Sequence, residues 1–147
     1  FLKENGCDSA IINLGGNILC VGGKNGDNPF NVGIQYPFED TQKIITNVSV
    51  RDMSVVTSGI YERSFVENGK LYHHIIDPKT LYPSELWTSV TIVCEDSGLA
   101  DVLSTSLFLL DREQGQALLD KFGAKALWVD ANENQYYSPD FKALIRN

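Results

Sequence analysis

Apolar positions come in short runs through the first part of the chain and in longer, helically spaced runs beyond residue 97. Residues 10–14 and 18–21 are apolar stretches broken by Gly15-Gly16-Asn17, which predicts two strands joined by a tight turn. Residues 22–29 read as loop, 31–36 as a strand stopped by Pro37, and 43–50 as a strand whose β-branched residues suit a pleated surface. Segments 53–57 and 61–66 flank Ser58-Gly59, and Asn68-Gly69 joins 61–66 to 70–76 with the strongest hairpin signal in the chain. Asp77-Pro78-Lys79-Thr80 is a turn by composition, and 88–94 is a β-branched strand.

Leu99, Val102, Leu103, Leu107, Phe108, Leu109 and Leu110 crowd residues 98–110 so tightly that a buried helix is predicted, with Ser97 as its N-cap. Arg112–Phe122 forms a second helical pattern ended by Gly123. Residues 126–130 and 135–138 make a last hairpin, and 139–145 a terminal helical turn. Hairpins followed by a helical pair and one more hairpin imply an α+β fold, a largely antiparallel sheet with the helical pair packed on one face. Strands of βαβ units would be separated by helices, and most of these are not. No linker rich in Pro, Gly or Ser divides the chain, so residues 1–147 read as a single domain.

Composition narrows the possible partners. A chain of 147 residues with 43% hydrophobic content can bury a substantial core. Its net charge of -7, with no run of Lys or Arg, argues against binding the phosphate backbone of long nucleic acids. A small anionic ligand would need local help, such as a metal ion. Cys7, Cys20 and Cys94 are odd in number and widely spaced, which favours free thiols over a disulfide framework or a zinc site. No stretch approaches the roughly 20 apolar residues of a membrane span. No basic-then-apolar leader precedes the first strand, and the chain opens on Phe1-Leu2-Lys3 without an initiator Met, which reads as a processed or partial polypeptide.

Three groups of residues carry candidate chemistry. Asp101 and Thr105 lie at i and i+4 of the first helix, about 6 Å apart between Cβ atoms, so both oxygens can address one spot. A carboxylate on a buried helix needs a compensating cation or strong donors, and Mg²⁺ takes oxygen ligands of this kind. The plainer reading has Asp101 complementing the helix dipole and Thr105 bonding back to a carbonyl. His73 and His74 are adjacent on a strand and point to opposite faces, so only one can serve a given site as a base, with Asp77 near enough in sequence to orient its ring. The plainer reading has one histidine packed in the core and the other solvated. Gly15-Gly16-Asn17 and Thr57-Ser58-Gly59 can offer backbone N–H groups or hydroxyls to phosphate, although neither has the spacing of a nucleotide fingerprint. Turn glycines at positive φ are the ordinary alternative.

In this order, the segments Asn13-Leu14-Gly15-Gly16-Asn17, Thr57-Ser58-Gly59-Ile60-Tyr61-Glu62-Arg63, His73-His74-Ile75-Ile76-Asp77-Pro78-Lys79-Thr80 and Ala100-Asp101-Val102-Leu103-Ser104-Thr105 resemble the ApbE family of FAD:protein FMN transferases. The resemblance implies an enzyme that cleaves the pyrophosphate of FAD with Mg²⁺, attaches FMN to a threonine of a target protein and releases AMP. Some relatives look able to hydrolyse FAD instead, and a non-catalytic flavin-binding module is the reading outside enzymology. Carried across by position, His74 is the base, Asp101 and Thr105 bind the metal, Asp77 orients the base, and Gly15, Gly16, Thr57, Ser58 and Gly59 lie near FAD.

The implied partner is a flavin-bearing subunit of a membrane redox complex or a secreted electron-transfer protein. Its acceptor motif would be of the Ser/Thr-Gly-Ala-Thr kind, which this chain lacks. Export to the periplasm or cell surface of a bacterium, through a lipid anchor outside this chain, is implied in the same way. The resemblance is to the carboxy-terminal half of the family, whose amino-terminal half carries a further glycine-rich motif with no counterpart here. Leu81 stands where many members carry Gly after the Asp-Pro turn.

Overall fold

The computed structural model describes residues 1–25, 28–38 and 43–146. Eleven strands and two α-helices are assigned among them: β1 (Ser9–Asn13), β2 (Asn17–Gly22), β3 (Phe30–Gln35), β4 (Ile44–Val50), β5 (Ser54–Gly59), β6 (Ser64–Glu67), β7 (Lys70–His73), β8 (Ser89–Cys94), α1 (Ser97–Phe108), α2 (Arg112–Phe122), β9 (Lys125–Val129), β10 (Gln135–Tyr137) and β11 (Ile145–Arg146). Six of the strands form one antiparallel sheet in the order β1-β2-β5-β8-β9-β10. The α+β class and the antiparallel sheet are as the hairpin pattern predicts.

Side-chain alternation builds a core on each face of that sheet. Val56, Val90, Ile92, Ala126 and Trp128 face the helices, where they meet Leu103, Leu107, Phe108 and Leu119. Val55, Val93, Leu127 and Val129 face the other way, onto a second sheet ordered β11-β4-β3 and the short 3₁₀ turn Phe141–Leu144. Strand β8 is consequently buried at every position. The second sheet explains why residues 139–145 do not finish as a helix: Ile145 and Arg146 extend to pair with Val48 and Asn47.

Several sequence expectations are corrected. The N-cap of α1 is Asp96, whose carboxylate accepts from the Leu99 amide at 2.7 Å, while Ser97 is the first helical residue and spends its hydroxyl on Asn17 Oδ1 at 2.9 Å. Helix α1 is not buried all round, because Val102 is 63% exposed and Asp101 and Thr105 also face outward. Ser58 and Gly59 belong to β5, while Tyr61 to Arg63 form the turn before β6. Strand β7 ends at His73, short of residue 76. Residues 22–29 include a bridge between Lys24 and Asn28, with positions 26 and 27 outside the described residues.

Leu81 has φ of 62°, the left-handed region that favours glycine. Its amide closes the Asp77 turn by donating to the Asp77 carbonyl at 2.8 Å, and its side chain is 76% exposed, so no packing compensates the strain. A left-handed residue with a Cβ costs about 1–2 kcal/mol, and glycine returns about 0.5–1 of that as unfolded-chain entropy. Leu81→Gly should therefore stabilise the chain by about 0.5–1 kcal/mol in urea unfolding. A destabilised variant would show that the exposed leucine is covered in solution.

Candidate active site

The hairpin β6–β7 carries the two histidines to its open end. There the His74 amide donates to the Arg63 carbonyl at 3.2 Å, and the rings diverge as strand alternation requires. The His73 ring is buried, donates through Nε2 to the Ser84 carbonyl at 2.9 Å and accepts from the Ile75 amide at Nδ1, 3.3 Å away. Ser84 in turn donates its hydroxyl to the Phe108 carbonyl at 2.9 Å, which ties the base of the hairpin to the end of α1. His73 is thus the anchor that holds His74 at the surface.

The ring of His74 is exposed, with Nδ1 at 3.4 Å from the Arg63 carbonyl. A carbonyl can only accept, so in the neutral ring this contact sets the proton on Nδ1 and turns the Nε2 lone pair away from Arg63. Asp77 is differently employed: its carboxylate accepts from the Lys79 amide at 2.8 Å in the Asp-Pro turn. The ring partner is therefore the backbone of Arg63, a contact made by hairpin register and invisible in the residue type.

Helix α1 is fastened to the sheet by hydroxyls. Ser58 and Ser104 share a hydrogen bond of 2.8 Å, and Ser104 also donates to the Asp101 carbonyl at 2.9 Å. Near the start of the helix, Ser97 donates to Asn17 Oδ1 and Asn17 Nδ2 approaches the Ser97 carbonyl at 3.5 Å. Thr57 pairs with Thr91 across the sheet at 2.9 Å. The hydroxyls of Thr57 and Ser58 thus make contacts within the fold. Asp101 and Thr105 are held on the outer side of the helix, one turn apart, with the Thr105 hydroxyl 3.4 Å from the Asp101 carbonyl. Among the described residues there is no group of three or more His, Cys, Asp or Glu placed to hold a metal ion.

Glu62, which no motif spacing marks as a candidate, packs beside Gly16. A Cβ built on Gly16, where φ is +88°, would lie 3.0 Å from Glu62 Oε1 and 3.5 Å from the Thr57 carbonyl. A Cβ on Gly59 would lie 2.3 Å from the ring of Tyr61. Both glycines therefore make room for side chains of the Tyr61-Glu62 turn. Partial desolvation pushes the Glu62 carboxyl above its ordinary 4.5; His74 and Arg63 draw it down, and Asp101 pushes it further up. Burial, and then the Glu62 charge, raise the Tyr61 hydroxyl to about 12.

Comparison with known proteins follows the same outline. The family model described as "ApbE family" matches residues 1–128. The chain belongs to the ApbE family. A protein of Treponema pallidum (strain Nichols) named FAD:protein FMN transferase is 46% identical over 138 residues, covering 87% of this chain and 38% of the relative. One of the same name from Klebsiella pneumoniae (strain 342) is 39% identical over 137 residues, covering 91% and 41%. The crystal structure of the ApbE protein of Thermotoga maritima superposes with a TM-score of 0.87 at 35% identity, covering 95% of this chain and 45% of that one. The flavin transferase ApbE of Vibrio cholerae gives 0.77 at 28% identity, covering 97% and 46%. This ApbE chain therefore spans less than half the length of these relatives.

The raised carboxyl of Glu62 has a signed consequence. Just above pH 4.5 the folded state keeps a proton that the unfolded chain has lost, so this group's contribution to stability falls as pH rises through that interval. Urea midpoints measured across it should decline less steeply for Glu62→Gln than for the parent. A steeper decline in the variant would show that the carboxyl is held below its ordinary value.

Proposed function

We propose that this chain supplies the base and the metal ligands of an FAD:protein FMN transferase. The observation that carries the reading is an exposed His74 ring braced at Nδ1 by the Arg63 carbonyl, together with Asp101 and Thr105 one turn apart on the outward face of α1. The activity named for the relatives of Treponema and Klebsiella agrees with it. A threonine hydroxyl is a poor nucleophile until its proton has somewhere to go, and the Nε2 lone pair of His74 offers an acceptor. The threonine Oγ bonds to the phosphorus on the FMN side of FAD. The bond from that phosphorus to the bridging oxygen breaks, AMP leaves with the electron pair, and the hydroxyl proton passes to Nε2.

The donor set suits Mg²⁺. Asp101 offers a carboxylate and Thr105 a hydroxyl, both hard oxygen donors on an outward face one turn apart. Two protein ligands are usual for this ion, the remainder coming from phosphate oxygens and water. When bound, the ion would neutralise charge developing on the diphosphate. The acceptor on this reading is a separate redox protein, exported or membrane-bound.

The test is FMN transfer from FAD to a peptide carrying Ser/Thr-Gly-Ala-Thr, followed by the peptide's mass. His74→Ala should lower the rate at least about a hundredfold. Asp101→Ala should raise the Mg²⁺ needed for half-maximal transfer, and chelation should stop the reaction. Free FMN formed at the same rate with and without peptide would instead identify a hydrolase.

A further inference from the structure

We propose that the aromatic row of Phe65, Tyr72 and Tyr82, on the face of the hairpin that carries His74, is the docking surface for the acceptor polypeptide and seats the apolar residues that flank its threonine. The inference rests on the functional reading above and gives that reaction's protein substrate a place to bind.

The row is built by strand register. Phe65 of β6 stands opposite Tyr72 of β7, and their rings stack with centroids 5.4 Å apart and planes inclined by 12°. The Lys70 ammonium lies 5.8 Å from the centre of the Tyr72 ring and 5.9 Å from that of Tyr82, which carries the row onto the turn after Asp77. Phe65 and Tyr82 are exposed, and Tyr72 is half-buried between strand and solvent. Alternation sets the base on the same side. Leu71 and His73 line a pocket against Trp87, and Tyr72 and His74 take the opposite face. Two residues of strand advance about 7 Å, so the row begins that far from His74.

The chemistry selects the occupant. A threonine presented to Nε2 of His74 brings its own backbone over the hairpin, and an extended chain covers about 7 Å in two residues. The residues on either side of the threonine therefore land on Phe65 and Tyr72. Clustered, exposed aromatic rings anchor a polypeptide by burying its apolar side chains. Lys70, the cation of the row, is already matched by the Glu85 carboxylate at 3.3 Å, so the row suits apolar groups rather than phosphate. The outer edge of β6 pairs with no strand among the described residues, which leaves the acceptor main chain a place beside the row. The diphosphate belongs to the other element, α1, where Asp101 and Thr105 stand.

The test joins binding to turnover. The probe is a peptide carrying Ser/Thr-Gly-Ala-Thr with leucine on both sides of the motif, titrated into the ¹⁵N-labelled chain. Amide signals of β6 and β7 should move. Phe65→Ser should weaken the peptide's Kd about tenfold, and Phe65→Leu should recover most of the affinity. Tyr82→Ser, on a separate element, should act in the same direction, so the result does not hang on the folding of one variant. Aspartate in place of the flanking leucines should weaken binding to the parent and change little in Phe65→Ser. In FMN transfer the two serine variants should raise KM for the peptide about tenfold while KM for FAD holds. Amide signals that ignore the peptide, or a Kd indifferent to both serine variants, overturn the proposal whether or not the chain transfers FMN. A raised KM for FAD in place of that for the peptide gives the row to the dinucleotide and overturns it. Sedimentation of a dimer that Phe65→Ser separates gives the row to a second copy and overturns it too. Transfer that is indifferent to His74→Ala refutes the functional reading instead, whatever the peptide's Kd.

Discussion

The structure depends on a sheet whose middle strand has no solvent face. Strand β8 is buried on both sides, by α1 and its core on one and by the second sheet on the other. Such a strand favours apolar or internally paired residues, so Thr91 pairs with Thr57 and most of the remaining side chains are Val, Ile and Cys, while the buried Ser89 hydroxyl is the exception, without a hydrogen-bond partner among the described residues. The helix layer then has only one place to sit. Helix α1 packs on β5 and β8, and Ser104 is buried against Ser58. That contact leaves Asp101 and Thr105 on the outer side, and the chemistry of the site follows from it.

Glycine and hydroxyl residues that resemble ligand-binding motifs serve, in this fold, to bring side chains together. Gly16 and Gly59 make room for Glu62 and Tyr61, and Ser58 fastens the helix that bears Asp101. These glycines answer packing needs, because a Cβ at Gly59 would meet the Tyr61 ring at 2.3 Å.

The outward-facing site belongs to a chain that covers 38% to 46% of the relatives described above. Asp101, Thr105 and His74 are all exposed, and β1 is an edge strand with Ile11, and Leu14 just past its end, open to solvent. A diphosphate bound against such a surface would be more hydrated than in an enclosed cleft, and each ion contact correspondingly weaker.

By itself the sequence determined what local forces determine. Alternation and turn chemistry set the strands, Asn68-Gly69 set the hairpin, Gly123 ended α2, and the four ordered motifs placed the chain in its family. Tertiary structure decided the rest, because those choices hang on contacts between residues far apart in the chain. It gave α1 an outer stripe, so the desolvation argument for Asp101 does not apply to this surface. It sorted His73 inward and His74 outward, since the buried ring has Ser84 as a partner. It replaced Asp77 by the Arg63 carbonyl at the His74 ring, and it brought Glu62 onto Gly16 across 46 positions of sequence. No periodicity encodes a meeting of that kind; it exists only once the sheet has closed.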